Sequence, residues 1–134
     1  MLRIEHIGIA VKDLAASENL FSKLLNVSPY KQETVETEGV TTSFFQQGES
    51  KIELLEATNP HSPIAQFLAK RGEGIHHIAF ETEDIVAEMQ RLKDEGFVPL
   101  QEHPRWGADR KWVAFFHPKS TNGVLIELCQ TIPE

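Results

Sequence analysis

The stretch Gly74-Ile75-His76-His77-Ile78-Ala79-Phe80-Glu81 decides the fold, because an earlier stretch repeats its pattern. Residues Ile4-Glu5-His6-Ile7-Gly8-Ile9-Ala10-Val11 carry the same succession of a histidine, an isoleucine, a small residue and an apolar residue. Each stretch leads into an acidic helix start, at Asp13 in the first case and at Asp84 in the second. A repeat on this scale predicts a duplicated structural unit.

The repetition extends to a second pair of strands. Lys51-Ile52-Glu53-Leu54-Leu55 in the first half matches Leu125-Ile126-Glu127-Leu128 in the second. Glu53 follows His6 by 47 residues and Glu127 follows His77 by 50. Each half therefore offers one histidine and one glutamate in matching positions.

Hydrophobic periodicity predicts the element order β-α-β-β-β in each half, with a helical connector between them. In the first half we expect strands at about 3–11, 31–36, 41–46 and 51–56, and a helix at about 14–25 that buries Leu20, Phe21, Leu24 and Leu25. In the second half we expect strands at 75–82, 97–101, 111–117 and 124–130, a helix between Asp84 and Gly96, and a loop at 104–109. The connector helix has Ser62 as its cap, Pro63 in its first position and Gly72 at its end.

These elements predict an α+β fold of two βαβββ modules in a single domain, residues 1–134. Module 1 covers about 1–58, the connector about 59–73 and module 2 about 74–134.

Composition narrows the class of function. A net charge of −7 disfavours nucleic acid and anionic membranes as partners. The one cysteine, Cys129, leaves no internal disulfide framework and suits a reducing compartment. No apolar segment is long enough to be a signal or to span a bilayer, so we expect a cytoplasmic enzyme or binding protein.

The four matched polar residues are the main functional clue. His6, Glu53, His77 and Glu127 each lie centrally in an apolar strand, on the face opposite the aliphatic packing. Two imidazole nitrogens and two carboxylates suit a divalent cation, with coordination positions left for water or substrate. A solvated sheet face or a His–Glu hydrogen-bond network would explain the same pattern.

Other polar residues give weaker signals. His76 is expected to pack or to cap a loop, and the proline-adjacent residues His61, His103 and His117 are expected in turns. Cys129 is expected in the core. Four basic residues of the second half are expected to be solvated, namely Arg105, Arg110, Lys111 and Lys119. The alternative is that this group binds a substrate phosphate.

Several stretches together resemble the vicinal oxygen chelate (glyoxalase) superfamily and, within it, the methylmalonyl-CoA epimerase family, over nearly the whole chain. Besides the strands quoted above, the resemblance is carried by Ser62-Pro63-Ile64-Ala65, Arg71-Gly72-Glu73-Gly74 and His117-Pro118-Lys119-Ser120-Thr121-Asn122-Gly123. The Pro-Lys-Ser turn discriminates best, because lyases of the glyoxalase type usually carry Asp-Pro-Asp-Gly there. The resemblance implies a curved mixed sheet around a metal cleft.

By this resemblance His6, Glu53, His77 and Glu127 are the metal ligands, and the metal is Co²⁺ first, with Zn²⁺, Ni²⁺ or Mn²⁺ as alternatives. The implied reaction interconverts (R)- and (S)-methylmalonyl-CoA through a metal-stabilised enolate. Inversion needs a base on one face and an acid on the other.

The same resemblance implies a second acid/base directly before the Gly39-Val40 pair, which selects Glu38, working opposite Glu127. Many relatives carry this glutamate one position earlier, where this chain has Thr37, so Glu36 competes with Glu38.

The loop match suggests Lys119 and Ser120 as contacts to the acyl-CoA substrate. A homodimer is expected by analogy with the fold. The competing functions are isomerisation of the lactoylglutathione lyase (glyoxalase I) type and non-catalytic ligand binding on the same fold.

Overall fold

The computed structural model describes residues 1–132, and in this part of the chain it contains strands, three α-helices and two short 3₁₀ turns. The strands are β1 (Arg3–Ala10), β2 (Lys31–Val35), β3 (Val40–Gln47), β4 (Ser50–Ala57), β5 (Gly74–Glu81), β6 (Arg105–Gly107), β7 (Lys111–Phe116) and β8 (Ile126–Thr131). The helices are α1 (Leu14–Leu25), α2 (Pro63–Arg71) and α3 (Ile85–Asp94), and the 3₁₀ turns are Glu36–Glu38 and Pro118–Ser120. The predicted α+β class with two βαβββ modules is confirmed.

The chain forms two compact units. One is His6–His76, called here the first unit; the other, called the second unit, contains Met1–Glu5 and the described residues from His77 onwards. The single domain predicted for residues 1–134 stays a prediction. None of the helices in the described residues 1–132 is long and apolar enough to cross a membrane.

In the first unit the strands lie in the order β2-β3-β4-β1, and β1 is parallel to β4. Helix α1 begins where the side chain of Asp13 accepts a hydrogen bond from the Ala16 backbone, which satisfies one of the free amides of the first turn. The helix packs against the sheet face that carries Phe45 and Leu54. We call the opposite face, which carries His6 and Glu53, the site face of the first unit.

The prediction for the buried side of α1 was partly wrong. Phe21 and Leu25 pack on the sheet, but Leu20 is 62% exposed and Leu24 is 69% exposed. Leucine and phenylalanine come in adjacent pairs along this helix, so two apolar stripes about 100° apart fit the helical period equally well. Only the stripe that includes Leu14 meets the sheet.

Connector helix α2 has the predicted signals. Ser62 Oγ accepts from the Ala65 backbone, Pro63 occupies the first turn, and the Gly72 amide closes the last turn on the Leu68 carbonyl. Ile64 packs with Leu55 on the site face of the first unit. The connector is therefore an integral part of the first unit.

In the second unit the strands lie in the order β5-β8-β7-β6, and β5 is parallel to β8. Asp84 caps α3 through the Ala87 backbone, and Ile85, Met89 and Leu92 pack against one face of the sheet. The opposite face, which carries His77 and Glu127, is the site face of the second unit.

The predicted strand 97–101 is wrong, because this segment makes only an isolated bridge between Pro99 and Phe116. Backbone hydrogen bonds from Leu100 to Phe115 and from His117 to Val98 flank this bridge, but the backbone pairing does not continue to Gln101. The Gln101 side chain instead bonds to the backbone of Val113 and Phe115. The segment predicted as a loop, 104–109, contains strand β6, which pairs with β7.

Candidate active site

The first His–Glu pair lies on the site face of the first unit. His6 in β1 and Glu53 in β4 are 3% and 5% exposed, and His6 Nδ1 lies 3.0 Å from a Glu53 carboxylate oxygen. In the parallel ladder Glu53 is opposite Gly8, two residues after His6. The small residue leaves space for the imidazole and the carboxylate to approach each other on one face.

The second pair has the same construction. His77 in β5 and Glu127 in β8 are 5% and 4% exposed, and His77 Nε2 lies 3.1 Å from a Glu127 carboxylate oxygen. Glu127 is opposite Ala79, again a small residue two positions after the histidine. The sequence repeat is thus a repeat of strand register, and each unit contains one buried imidazole–carboxylate pair.

A phenylalanine that was not predicted from the sequence lies beside the glutamate of each pair. Phe44 is opposite Glu53 in the β3–β4 ladder, and Phe115 is opposite Glu127 in the β7–β8 ladder. The Phe115 ring meets the His77 ring edge to face, with centroids 5.7 Å apart. This ring contact restricts the orientation of the His77 imidazole.

Burial decides between the explanations left open by the sequence. A solvated sheet face does not fit residues at most 5% exposed. A buried carboxylate requires a hydrogen-bond donor or a cation beside it. Two alternatives remain for each pair, a His–Glu hydrogen bond and a pair of metal donors.

The two candidate bases differ in their surroundings. Glu36 and Glu38 begin and end a 3₁₀ turn, where Glu36 is exposed and Glu38 is half-buried. The turn ends at Gly39, which has φ +63°, and a Cβ there would lie 2.7 Å from Ser62 Cβ. The glycine therefore lets this turn pack closely on the start of α2.

The predicted substrate contacts lie in the second 3₁₀ turn. Lys119 is exposed, and its backbone amide donates to His117 Nδ1 at 3.1 Å. Ser120 Oγ donates to the His117 carbonyl at 2.9 Å. The turn role predicted for His117 is confirmed, and the Lys119 ammonium extends from a turn that is held internally.

One charge prediction was wrong. Lys111 is a buried residue of β7 and is 4% exposed, whereas its charge was expected to be solvated. The sequence did contain a signal for the burial of Lys111, because it alternates with Val113 and Phe115 and strand residues two apart share a face. Glu5, in the predicted strand 3–11, is a fully buried carboxylate. Both residues belong to the second unit.

The core position predicted for Cys129 is confirmed. Its thiol lies within the second unit, and burial, with the nearby carboxylates of Glu127 and Glu5, raises the pKa of Cys129 well above its usual range. A thiol held in its protonated form is a poor nucleophile. Cys129 is therefore a packing residue.

Comparison with known proteins agrees with this architecture. Residues 5–116 match the family model of the glyoxalase/bleomycin resistance protein/dioxygenase superfamily. The ethylmalonyl-CoA/methylmalonyl-CoA epimerase of Cereibacter sphaeroides is 42% identical over 130 residues, which cover 96% of this chain and 97% of that protein. The human mitochondrial methylmalonyl-CoA epimerase is 37% identical over 129 residues, covering 96% of this chain and 73% of that protein.

A solved structure is similar over the whole length. Streptomyces coelicolor methylmalonyl-CoA epimerase in complex with 2-nitronate-propionyl-CoA superimposes with a TM-score of 0.93 at 35% identity, covering 99% of each chain. The expected fold and family are thus confirmed. The chain belongs to the glyoxalase/bleomycin resistance protein/dioxygenase superfamily and, within it, to the family of the methylmalonyl-CoA epimerases.

Proposed function

We propose that this protein is a metal-dependent epimerase that interconverts (R)- and (S)-methylmalonyl-CoA by removing and returning the α-proton. The observation that carries the proposal is the pair of buried imidazole–carboxylate contacts, at 3.0 and 3.1 Å, in identical strand register. Membership of a family whose relatives are named for this reaction supports the choice of substrate.

The proposed metal ligands are His6, Glu53, His77 and Glu127, acting together on one divalent ion. The spacing within each pair fits this role. Two donor atoms at about 2.0–2.1 Å from one metal are separated by about 2.9–3.4 Å when they subtend the angles of octahedral or tetrahedral coordination. The His–Glu separations of 3.0 and 3.1 Å fall within that range.

The donor set does not select the metal by itself. Imidazole suits several first-row ions, and carboxylate suits the harder ones, so availability decides among them. We propose Co²⁺ first, and Zn²⁺, Ni²⁺ or Mn²⁺ as alternatives.

The proposed chemistry is proton transfer at the carbon between the thioester and the carboxylate of the substrate. A divalent cation in the site would supply positive charge that stabilises the oxygen of the enolate. Inversion then needs two proton-transfer groups on opposite faces of this carbon. We assign these roles to Glu127 and Glu38, since Glu38 is half-buried and the competing Glu36 is exposed.

We propose Lys119 and Ser120 as substrate contacts. Lys119 is exposed in a turn stabilised by His117 and can offer its ammonium group to a phosphate of coenzyme A. The Ser120 hydroxyl already donates to the His117 carbonyl and lies 3.5 Å from the Val98 amide. Donation by this hydroxyl to substrate therefore requires exchange of its bond to His117.

The test is proton NMR of methylmalonyl-CoA in D₂O with chelator-treated protein, repeated after addition of Co²⁺. We expect the α-proton signal to disappear only when metal is present. If the signal persists with metal bound, the epimerase proposal is wrong. Turnover of the glutathione hemithioacetal of methylglyoxal would then favour the lyase, and tight stoichiometric ligand binding by metal-free protein would favour a binding protein.

The base assignment is tested in the same assay with Glu38→Gln and, as its matched control, Glu36→Gln. Both variants exchange a carboxylate for an amide within one 3₁₀ turn. We expect Glu38→Gln to slow exchange from one epimer by a factor on the order of 100 or more, and Glu36→Gln to exchange at the wild-type rate. The reverse result would transfer the role to Glu36.

The homodimer and the cytoplasmic location predicted from the sequence are retained as proposals. Light scattering coupled to size-exclusion chromatography tests the first, because a monomer mass near 15.2 kDa would reject it.

A further inference from the structure

Five polar side chains of the second unit form a closed ring of contacts. We call it the polar ring. Its members are Arg3, Glu5, Glu81, Lys111 and Thr131.

Each member of the polar ring contacts the next. Lys111 Nζ donates to Thr131 Oγ1 at 2.9 Å, and Thr131 Oγ1 donates to a Glu81 carboxylate oxygen at 3.2 Å. Arg3 Nε donates to the other Glu81 oxygen at 2.9 Å. Glu5 closes the ring, since one of its carboxylate oxygens lies 3.8 Å from both Arg3 and Lys111.

The ring is balanced and partly sealed from water. It contains two cations, two carboxylates and one hydroxyl, and both Glu5 and Lys111 are buried, at 0% and 4% exposure. A buried ion pair is often no more stabilising than apolar side chains of the same volume. Net stability is therefore a weak explanation for the ring. Its three hydrogen bonds are directional and can instead hold strands in one register and orientation. The two contacts of Glu5, at 3.8 Å, are ion pairs without a hydrogen bond.

The ring shares its strands with the candidate site. Glu81 lies four residues after His77 in β5, and Thr131 lies four residues after Glu127 in β8. Lys111 lies four residues before Phe115 in β7. Strand residues four apart share a face and are separated by about 13 Å, so these three members of the ring lie on the same face as the site.

The remaining two members lie at the start of β1. Arg3 and Glu5 belong to the second unit, and the next residue, His6, is the first residue of the first unit.

We propose that the polar ring is a positioning device for the metal ligands, with Lys111 and Glu5 as its positioning residues. The ring holds β5, β7, β8 and the start of β1 in one register, and so determines where the donor atoms of His77 and Glu127 lie. This inference rests on the proposed metal site, and its test measures metal binding rather than turnover.

The test compares Co²⁺ affinity and the visible spectrum of bound Co²⁺ in wild type, Lys111→Met and Lys111→Arg, with Lys93→Met as the control. Lys93 is an exposed residue of α3 in the same unit. We expect Lys111→Met to raise the Co²⁺ dissociation constant about tenfold or more, the scale found when groups that support metal ligands are removed, and to change the ligand-field bands. Lys111→Arg, which retains the charge, should bind within about threefold of wild type, and Lys93→Met should match it.

A second variant separates positioning from folding. Glu5→Gln/Lys111→Met removes one charge of each sign, so no net charge is left in the ring. If this variant melts near the wild-type temperature and binds Co²⁺ with wild-type affinity and spectrum, the positioning role is refuted. A lower melting temperature with unchanged Co²⁺ binding also refutes it, because the ring would then be structural alone.

Failure of the ring and failure of the metal site are distinguishable. If wild-type protein retains no Co²⁺ after dialysis, the proposed metal site is wrong and the positioning role falls with it. If wild type binds Co²⁺ and Lys111→Met binds it equally well, the ring proposal alone is wrong.

Discussion

The substitution His77→Ala tests both the proposed metal site and the buried His77–Glu127 pair. It removes an imidazole that is 5% exposed, lies 3.1 Å from the Glu127 carboxylate and meets the Phe115 ring. The variant therefore deletes a proposed metal donor, an aromatic contact and one half of a buried polar pair, while the face that packs on α3 is unchanged.

The expected magnitudes follow from this environment. Breaking a buried pair by removing one partner costs about 3 kcal/mol of unfolding free energy, which for a chain of this length lowers the melting temperature by roughly 10 °C. A metal at 100 times its dissociation constant stabilises the wild type by about 2.7 kcal/mol. We expect His77→Ala to lose most of the stabilisation that the metal provides. We also expect its turnover to fall by a factor on the order of 100 or more.

The assay is urea unfolding of metal-free protein, repeated with Co²⁺, for wild type, His77→Ala and the control His103→Ala. His103 is exposed in the same unit, so its removal should change the unfolding free energy by less than about 0.5 kcal/mol. If His77→Ala gains as much stability from Co²⁺ as wild type does, His77 is not a ligand. A loss of less than about 1 kcal/mol in metal-free protein would refute the estimate for the buried pair.

Two further predictions concern the framework of the site. Gly39→Ala forces a side chain into φ +63° and places Cβ 2.7 Å from Ser62 Cβ, so we expect it to lower the free energy of unfolding by about 2 kcal/mol or more, measured by thermal unfolding. The control Gly48→Ala, at φ +62° with open space around it, should lower it by about 1 kcal/mol. Equal losses in the two variants would show that the contact with Ser62 is unimportant. Burial raises the pKa of Cys129. We therefore expect the folded protein to react with a thiol reagent at pH 8 more slowly than the unfolded protein, by a factor on the order of 100. Comparable reaction rates in the two states would contradict the burial of this thiol.

Local signals in the sequence were sufficient for most elements. Asp13, Ser62 and Asp84 each cap the helix predicted for them, because a cap depends on a few neighbouring residues. Period-two alternation also assigned His77 and Glu127 to the strand faces opposite the packed helix. These features depend on backbone geometry within one element, which the local sequence encodes.

The partner opposite each glutamate shows where such reasoning ends. Gln47 pairs with Ser50 across a two-residue turn, and that register places Phe44 opposite Glu53. The pairing of Phe44 with Glu53 is therefore predictable from the sequence. Phe115 and Glu127 are joined by a longer connection with its own 3₁₀ turn, and no turn rule sets the register across it.

The sequence by itself determined that the protein has two related halves, each with one histidine and one glutamate on an inward strand face. Tertiary structure decided which charges are buried and which apolar residues are not. Lys111 and Glu5 are enclosed because residues distant in the chain meet them, while Leu20 and Leu24 are exposed because α1 can turn only one stripe to the sheet. Burial depends on what packs against a residue, and that information is distributed over the whole chain.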